Sequence, residues 1–420
     1  MLLWLLECLA LYSPHASLAA LGKITFRASL AAIVSFLLAL VLGPLMIAWL
    51  RRHFREPIKS DSPEVRRLHR DKQFTPTMGG LFIGAGLIVS VLLFGDLRSD
   101  YLLVALLVAG GLAIIGAVDD LVKLRGTANG ISARAKLAGQ LAVATVAAVL
   151  IYQSHAALPD GLTLRLPLAA TGIWLGPWFV PLAVLVIVGA SNAVNLTDGL
   201  DGLAGGCLIF ASGAMTLVAY ASGHAELAEY LNIPRIPGCG EMTILAGAMI
   251  GGVLGFLWFN CHPAQVFMGD TGALPLGGLL GLMAVVTRQE LLLLIVGGVF
   301  VVEAASVILQ VGYYRRRRRR IFLCAPLHHH FQLKGWAENK IVVRFWIASA
   351  LCALLGMATL KLGVKDDYSP AGQLHQRAHS TVQCDRATTE AVGFRVQGSG
   401  LQGKRVPEVL NPEPPDHCRQ

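Results

Sequence analysis

The sequence predicts an all-α, polytopic integral membrane protein with about ten transmembrane helices, and three observations carry that expectation. Of its 420 residues 55% are hydrophobic and 15% charged, with a mean hydropathy of +0.60, more apolar surface than one water-soluble core could hide. The apolar residues fall into runs of the ~20 residues that cross a ~30 Å hydrocarbon layer. Lys and Arg concentrate in alternate connecting loops. Helices are the spanning element, because lipid offers an open backbone no partner and no ten-residue dyad alternation suggests a barrel.

In chain order, residues 1–20 lack a basic leader and read as an interfacial helix rather than a cleaved signal. The first window is 28–50, followed by a loop with Arg51, Arg52, Arg55, Lys59, Arg66, Arg67, Arg70 and Lys72. Windows 77–95 and 101–118 follow, the second running into AVDDLVK. Windows 135–153 and 175–191 lead into NAVNLTDGLDGLAGG, and windows 202–222 and 241–259 into NCHPAQVFMGDTG. Windows 273–286 and 290–313 precede a loop with the run Arg315–Arg320, Lys334, Lys340 and the stretch APLHHHFQLKGW. The last window is 342–362.

The intervening loops hold Arg98, Arg165, Arg235 and Arg288 singly. The positive-inside rule therefore makes the Arg-rich loops cytoplasmic and both termini extracytoplasmic. A net charge of +9 so needs no nucleic-acid partner. Eight cysteines without a C-x-x-C pair indicate neither a zinc site nor a disulfide scaffold. Residues 1–363 form the expected transmembrane domain, and the polar residues 364–420 the expected disordered tail.

The polar motifs share the expected cytoplasmic side. Adjacent Asp119 and Asp120 repel, which favours a general base, and Lys123 one turn on offsets part of their charge; they could equally gather a divalent cation or form a solvated helix end. Asn192, Asn195, Asp198 and Asp201 recur every third residue, a spacing that holds neighbours near one helical face. Asp270 reads as a helix N-cap or, with Asp119 and Asp120, as a metal ligand, and Phe267 offers an aromatic face. Three consecutive histidines cannot all face one way on a helix, and could be zinc ligands, proton carriers or phosphate donors. Carboxylates, amides, glycines, histidines and lysines on one membrane surface suit phosphate chemistry with a second substrate in the bilayer.

FTPTMGG, AVDDLVK, NAVNLTDGLDGLAGG, FMGDTG, APLHHHF, LKGW and KIVVRFWI, in that order, with MLLWLLE and ITFRA near the start, resemble the bacterial phospho-N-acetylmuramoyl-pentapeptide transferase family, MraY. The resemblance spans about residues 1–363. It implies a dimeric inner-membrane enzyme of peptidoglycan synthesis that transfers phospho-MurNAc-pentapeptide from UDP-MurNAc-pentapeptide to undecaprenyl phosphate, giving lipid I and UMP with Mg2+.

By the same resemblance Asp119, Asp120, Asp270, His328 and His329 are implied on the catalytic side, with Asp270 the magnesium ligand. Substrate contacts are implied for Lys72, Thr77, Lys123, Asn192, Asn195, Asp198, Asp201, Phe267, Gln310 and His330. Three departures stand out: Phe74 replaces a glycine before TPTMGG, Gln332 a glutamate after HHHF, and the tail beyond Gly363 has no counterpart in the family pattern. A polyprenyl-phosphate N-acetylhexosamine-1-phosphate transferase would share the aspartates but not the APLHHHF loop. A secondary transporter would put its polar groups near the midplane, not at span ends.

Overall fold

The computed structural model describes residues 22–53, 75–125, 130–166 and 172–362. The chain divides into two units, Met1–Val364 and Lys365–Gln420. The expected interfacial helix, Lys72, Phe74 and the expected tail lie outside the described residues.

The first unit is a helical bundle. Its long apolar helices are α1 (Ile24–His53), α3 (Asp100–Leu124), α4 (Ala133–Ala156), α5 (Phe179–Thr197), α6 (Leu203–Gly223), α8 (Glu241–Asn260) and α13 (Glu338–Leu362). Among the described residues seven helices are long and apolar enough to cross a membrane, α5 together with the 3-10 turn Gly176–Trp178 before it. Two shorter apolar helices, α2 (Gly80–Phe94) and α9 (Asp270–Val286), lie in the second and eighth expected windows. The short α7 (Ala225–Tyr230) and α12 (Leu327–Leu333) sit in connections. The all-α expectation gains one small hairpin, β1 (Thr163–Arg165) antiparallel to β2 (Gly172–Trp174).

The ninth window, 290–313, is not one helix. It breaks into α10 (Glu290–Val296) and α11 (Gly298–Arg317), bent by 88° around Gly297. Leu, Ile and Val precede the break and Val and Phe follow it, so hydropathy runs through it while the backbone turns. The second window also begins early, since residues 77–79 precede α2.

Every residue of α9 is buried, enclosed mainly by α3 and α5. Its 17 residues reach ~25 Å at 1.5 Å per residue, less than a full bilayer core. Neighbouring helices solvate α9 instead of lipid; glycines at 272, 277 and 281 let their backbones close on it, and Gly278 makes room for the Leu112 side chain. The N-terminus of α9 meets the C-terminal end of α3 and runs beside the C-terminal half of α5 at one end of the bundle, and the functional side chains gather there. At the opposite end two buried ion pairs close on themselves. Arg27 pairs with Glu241 and donates to the Phe94 carbonyl at 2.9 Å, and Arg288 pairs with Glu290 while lying over the Phe179 ring.

Candidate functional site

Backbone contact between α3 and α9 sets the centre. Gly116 lies so close to the Asp270 carbonyl that any side chain there would collide with it. Asp120, one turn on, thereby reaches the start of α9. Its carboxylate accepts from the Asp270 N–H at 3.2 Å, the Thr271 N–H at 2.9 Å and the Thr271 hydroxyl at 2.7 Å. Asp120 thus caps α9 from another helix, a task for which Asp270, the first helical residue, is misplaced. Gly269 takes φ 69°, and a Cβ there would stand 2.6 Å from Asp120 Oδ2 and 2.8 Å from Thr77 Oγ1, which locates Thr77 in the same corner.

Two lysines face the carboxylates. Lys123 Nζ lies 2.8 Å from Asp119, 3.0 Å from Asp270 and 3.5 Å from Asp120. Lys136 pairs with Asp270 and lies 3.6 Å from Asp119. It stands in the first turns of α4, whose start is fixed by Ser132 accepting from the Ala135 N–H. The Ile131 N–H adds a donor to Asp119 at 2.8 Å. Oxygens of Asp119, Asp120 and Asp270 all lie within 4.8 Å of one another. Three buried carboxylates against two ammonium groups leave an excess of negative charge, the condition a hard cation with oxygen ligands relieves. The donors on Asp120 belong to the fold, whereas the lysines on Asp119 and Asp270 are flexible cations that can turn to an incoming anion.

The spacing of three from Asn192 to Asp201 does not mark one helical face, because α5 ends at Thr197. Asn192 is on the helix and donates to Gln140 of α4 at 2.9 Å, and Asn195 follows one turn on. Asp198 stands just past the helix end, half-buried, and its carboxyl is pushed up to about 7 by burial, with Asp270, Asp120 and Asp201 adding repulsion. Asp201, in the following turn, accepts from the Ala264 N–H at 3.1 Å and meets His262 Nδ1 at 3.0 Å, while its own N–H donates to Glu338 at 2.9 Å. Asp201, His262 and Glu338 form a second close group. Asn260 braces the same turn, accepting from the Gly202 N–H and donating to the Val266 carbonyl. Half-buried Phe267 exchanges backbone hydrogen bonds of 2.8 Å with Pro76 and Gly79, so it travels with Thr77.

The three histidines diverge, as three neighbours on a helix must. His328 is buried against Gly199, and its Nδ1 lies 3.4 Å from Glu303. Glu303 also accepts from the N–H groups of Leu327 and His328, at 2.7 and 3.1 Å, which seats the start of α12. His329 Nδ1 meets Gln332 at 2.8 Å, and His330 Nδ1 accepts from the Leu323 N–H at 3.1 Å. Gln310 holds the loop after α11 through Ile321 and Phe322 at 3.0 Å.

Of the expected residues, Asp119, Asp120, Lys123 and Asp270 come into direct contact, with Thr77 beside them and Asp198 within their field. Asn192, Asp201, Gln310 and His330 are instead drawn with protein partners that hold helix ends and loops. Sequence reasoning missed Lys136, Gln140, Glu303 and Glu338, and assigned no role to Asn260 or His262. Lys136 and Glu303 carried a usable signal: Lys136 is the lone charged residue of window 135–153, and Glu303 the lone one in the interior of window 290–313, which opens on Glu290.

Residues 102–288 match the family model described as glycosyl transferase family 4. A phospho-N-acetylmuramoyl-pentapeptide-transferase of Maridesulfovibrio salexigens is 48% identical over 346 residues, covering 81% of this chain and 94% of that protein. Proteins of the same name from Solidesulfovibrio magneticus and Koribacter versatilis are 47% and 44% identical, over 94% and 93% of their lengths and 81% of this chain.

Proposed function

The chain belongs to the phospho-N-acetylmuramoyl-pentapeptide-transferase family, and from that premise we propose how its residues perform the transfer. It is a multi-pass membrane transferase that moves phospho-MurNAc-pentapeptide from UDP-MurNAc-pentapeptide to undecaprenyl phosphate, forming lipid I and UMP. The observation that carries the mechanism is the cluster of Asp119, Asp120 and Asp270 faced by Lys123 and Lys136.

Attack of one phosphate on another is opposed by charge. Asp270 would hold Mg2+, which the excess of buried oxygen donors around it fits. When bound, the ion supplies charge neutralisation to the diphosphate. Asp120 keeps α9, and with it Asp270, in register. Lys123 and Lys136 exchange carboxylate for donor phosphate, and a carboxylate of the pair on α3 keeps the acceptor phosphate ionised. Asn192, Asn195, Asp198, Asp201 and Phe267 line the donor side, where Phe267 stacks on uracil and the amides meet polar groups of the carrier. His329, His330 and Gln310 take the sugar and peptide side, and buried His328 positions their segment against Gly199 and Glu303.

The acceptor chain has a fitting cleft. An apolar cavity of about 450 Å3 lies between α5, α9 and the bent α10–α11 pair, lined by Val186, Ala190, Val194, Leu293, Phe300 and Ala304 among others. Val194 brings it to within one helical turn of Asp198. The same reading makes the Arg-rich face cytoplasmic in a bacterial inner membrane and the protein a homodimer.

The test is product analysis with purified full-length protein, undecaprenyl phosphate and either UDP-MurNAc-pentapeptide or UDP-GlcNAc, with and without Mg2+. UMP release and a lipid-linked product are expected only with the muramoyl donor and Mg2+. Equal use of UDP-GlcNAc would move the chain to the hexosamine branch, and full activity after chelation would remove the metal.

A further inference from the structure

The Arg-rich segment that closes α11 is not used in the proposed transfer, and Arg320, just past the helix end, lines a cavity. The last turns of α11 are exposed on all sides, with Ile308, Leu309, Val311, Tyr313 and Tyr314 leading directly into Arg315–Arg320, all exposed. An apolar stretch ending in an aromatic pair and then cations marks the depth where hydrocarbon gives way to headgroups. The helix stops at Arg317, Arg318 turns the chain back with φ 56°, and Ile321 and Leu323 re-expose apolar side chains beside the arginines.

Gln310 donates to the Phe322 carbonyl and accepts from the Ile321 and Phe322 N–H groups, and the Leu323 N–H donates to His330, which together fix this return. Between it and α12 is a cavity of about 660 Å3, with Arg320, Lys334 and His330 supplying its polar wall and Ile321, Leu323 and Leu333 its apolar wall. Among the described residues no carboxylate forms an ion pair with Arg315–Arg320 or Lys334. Cations held together without counter-charge, at headgroup depth and next to an apolar rim, are complementary to one kind of molecule.

The geometry points to a binding site for an anionic phospholipid on this surface, its phosphate between Arg320 and Lys334 and its acyl chains against Ile321 and Leu323. A soluble phosphate would match the cations but leave the apolar wall without a use. The site shares the 321–323 return and α12 with the histidine segment, so a bound lipid braces the helix that carries His328.

The experiment measures phosphatidylglycerol and phosphatidylcholine adducts on detergent-solubilised full-length protein by native mass spectrometry, which does not depend on the transferase reading. The double variant Arg320→Gln/Lys334→Gln is compared with Arg315→Gln/Arg316→Gln, which removes the same charge outside the cavity. The first should weaken phosphatidylglycerol binding about tenfold, the second less than about twofold, and Arg320→Lys should retain it. Equal losses in both doubles would show a diffuse field and overturn the site, as would no loss in either. Complete displacement of the lipid by equimolar inorganic phosphate would assign the cavity to a soluble anion instead.

Discussion

The two ends of the bundle both bury charge, and they do so differently. At the α1–α8 and α9–α10 end the charges are matched one to one, Arg27 with Glu241 and Arg288 with Glu290. At the other end three carboxylates share two lysines, and Asp198 and Asp201 add to the excess. A matched buried pair is finished chemistry, since removing either partner strands a charge. An unmatched cluster costs folding energy that a bound ligand can recover, and this imbalance is what the proposed function assigns to a cation and a diphosphate.

The contrast breaks if variants at the two ends behave alike. Asp270→Asn should lower UMP release by ~10²–10⁴-fold, with the thermal midpoint in detergent near wild type. Substantial turnover at saturating Mg2+ would show that Asp270 is as structural as Glu241. Arg27→Met should do the reverse, destabilising the fold by ~3–5 kcal/mol through the stranded Glu241 while surviving folded protein keeps its turnover. Chemical denaturation followed by circular dichroism, paired with activity per folded molecule, separates the two outcomes.

Lys136→Met sharpens the comparison from the cation side. Losing one preorganised charge costs ~10²-fold in kcat/KM, and because Lys136 pairs with a carboxylate in the free protein, its removal should also tighten Mg2+ binding. Weaker Mg2+ binding in that variant would rule out competition between lysine and metal for Asp270.

The smallest effect is expected from Asp198. Its carboxyl stands near 7 in the folded chain against an ordinary value of 3.8. The folded state therefore binds the extra proton between those values, and stability falls as pH rises from about 4 to about 7. Asp198→Asn, neutral throughout, should raise the metal-free thermal midpoint at pH 8 and leave it nearly unchanged at pH 4. A gain of equal size at both pH values would trace the effect to shape rather than charge.

Much of this was legible in the sequence, for identifiable reasons. Apolar runs located the helices because lipid imposes length and continuity on them, and Asp119, Asp120, Lys123 and Asp270 were visible as polar residues at span ends. What escaped depends on contacts across the chain. Asp120 caps a helix 150 residues away, and Glu338 supports Asp201 from a helix 137 residues away. The break at Gly297 escaped because hydropathy measures solubility in lipid, not the direction of the axis. Asn192, Asn195, Asp198 and Asp201 suggested a single helical face where the backbone in fact turns, since period alone does not tell a helix from the turn that ends it.

The 88° bend between α10 and α11 has a kinetic consequence. It holds the apolar cleft at the flank of the bundle, so a polyprenyl acceptor arrives by diffusing in the plane of the bilayer while the nucleotide donor arrives through water. The two half-saturation points then belong to different scales, moles per litre for the donor and mole fraction in the surrounding amphiphile for the acceptor. Adding inert detergent at constant total acceptor dilutes only the second substrate, and turnover should fall as the surface is diluted even though nothing in the aqueous phase has changed.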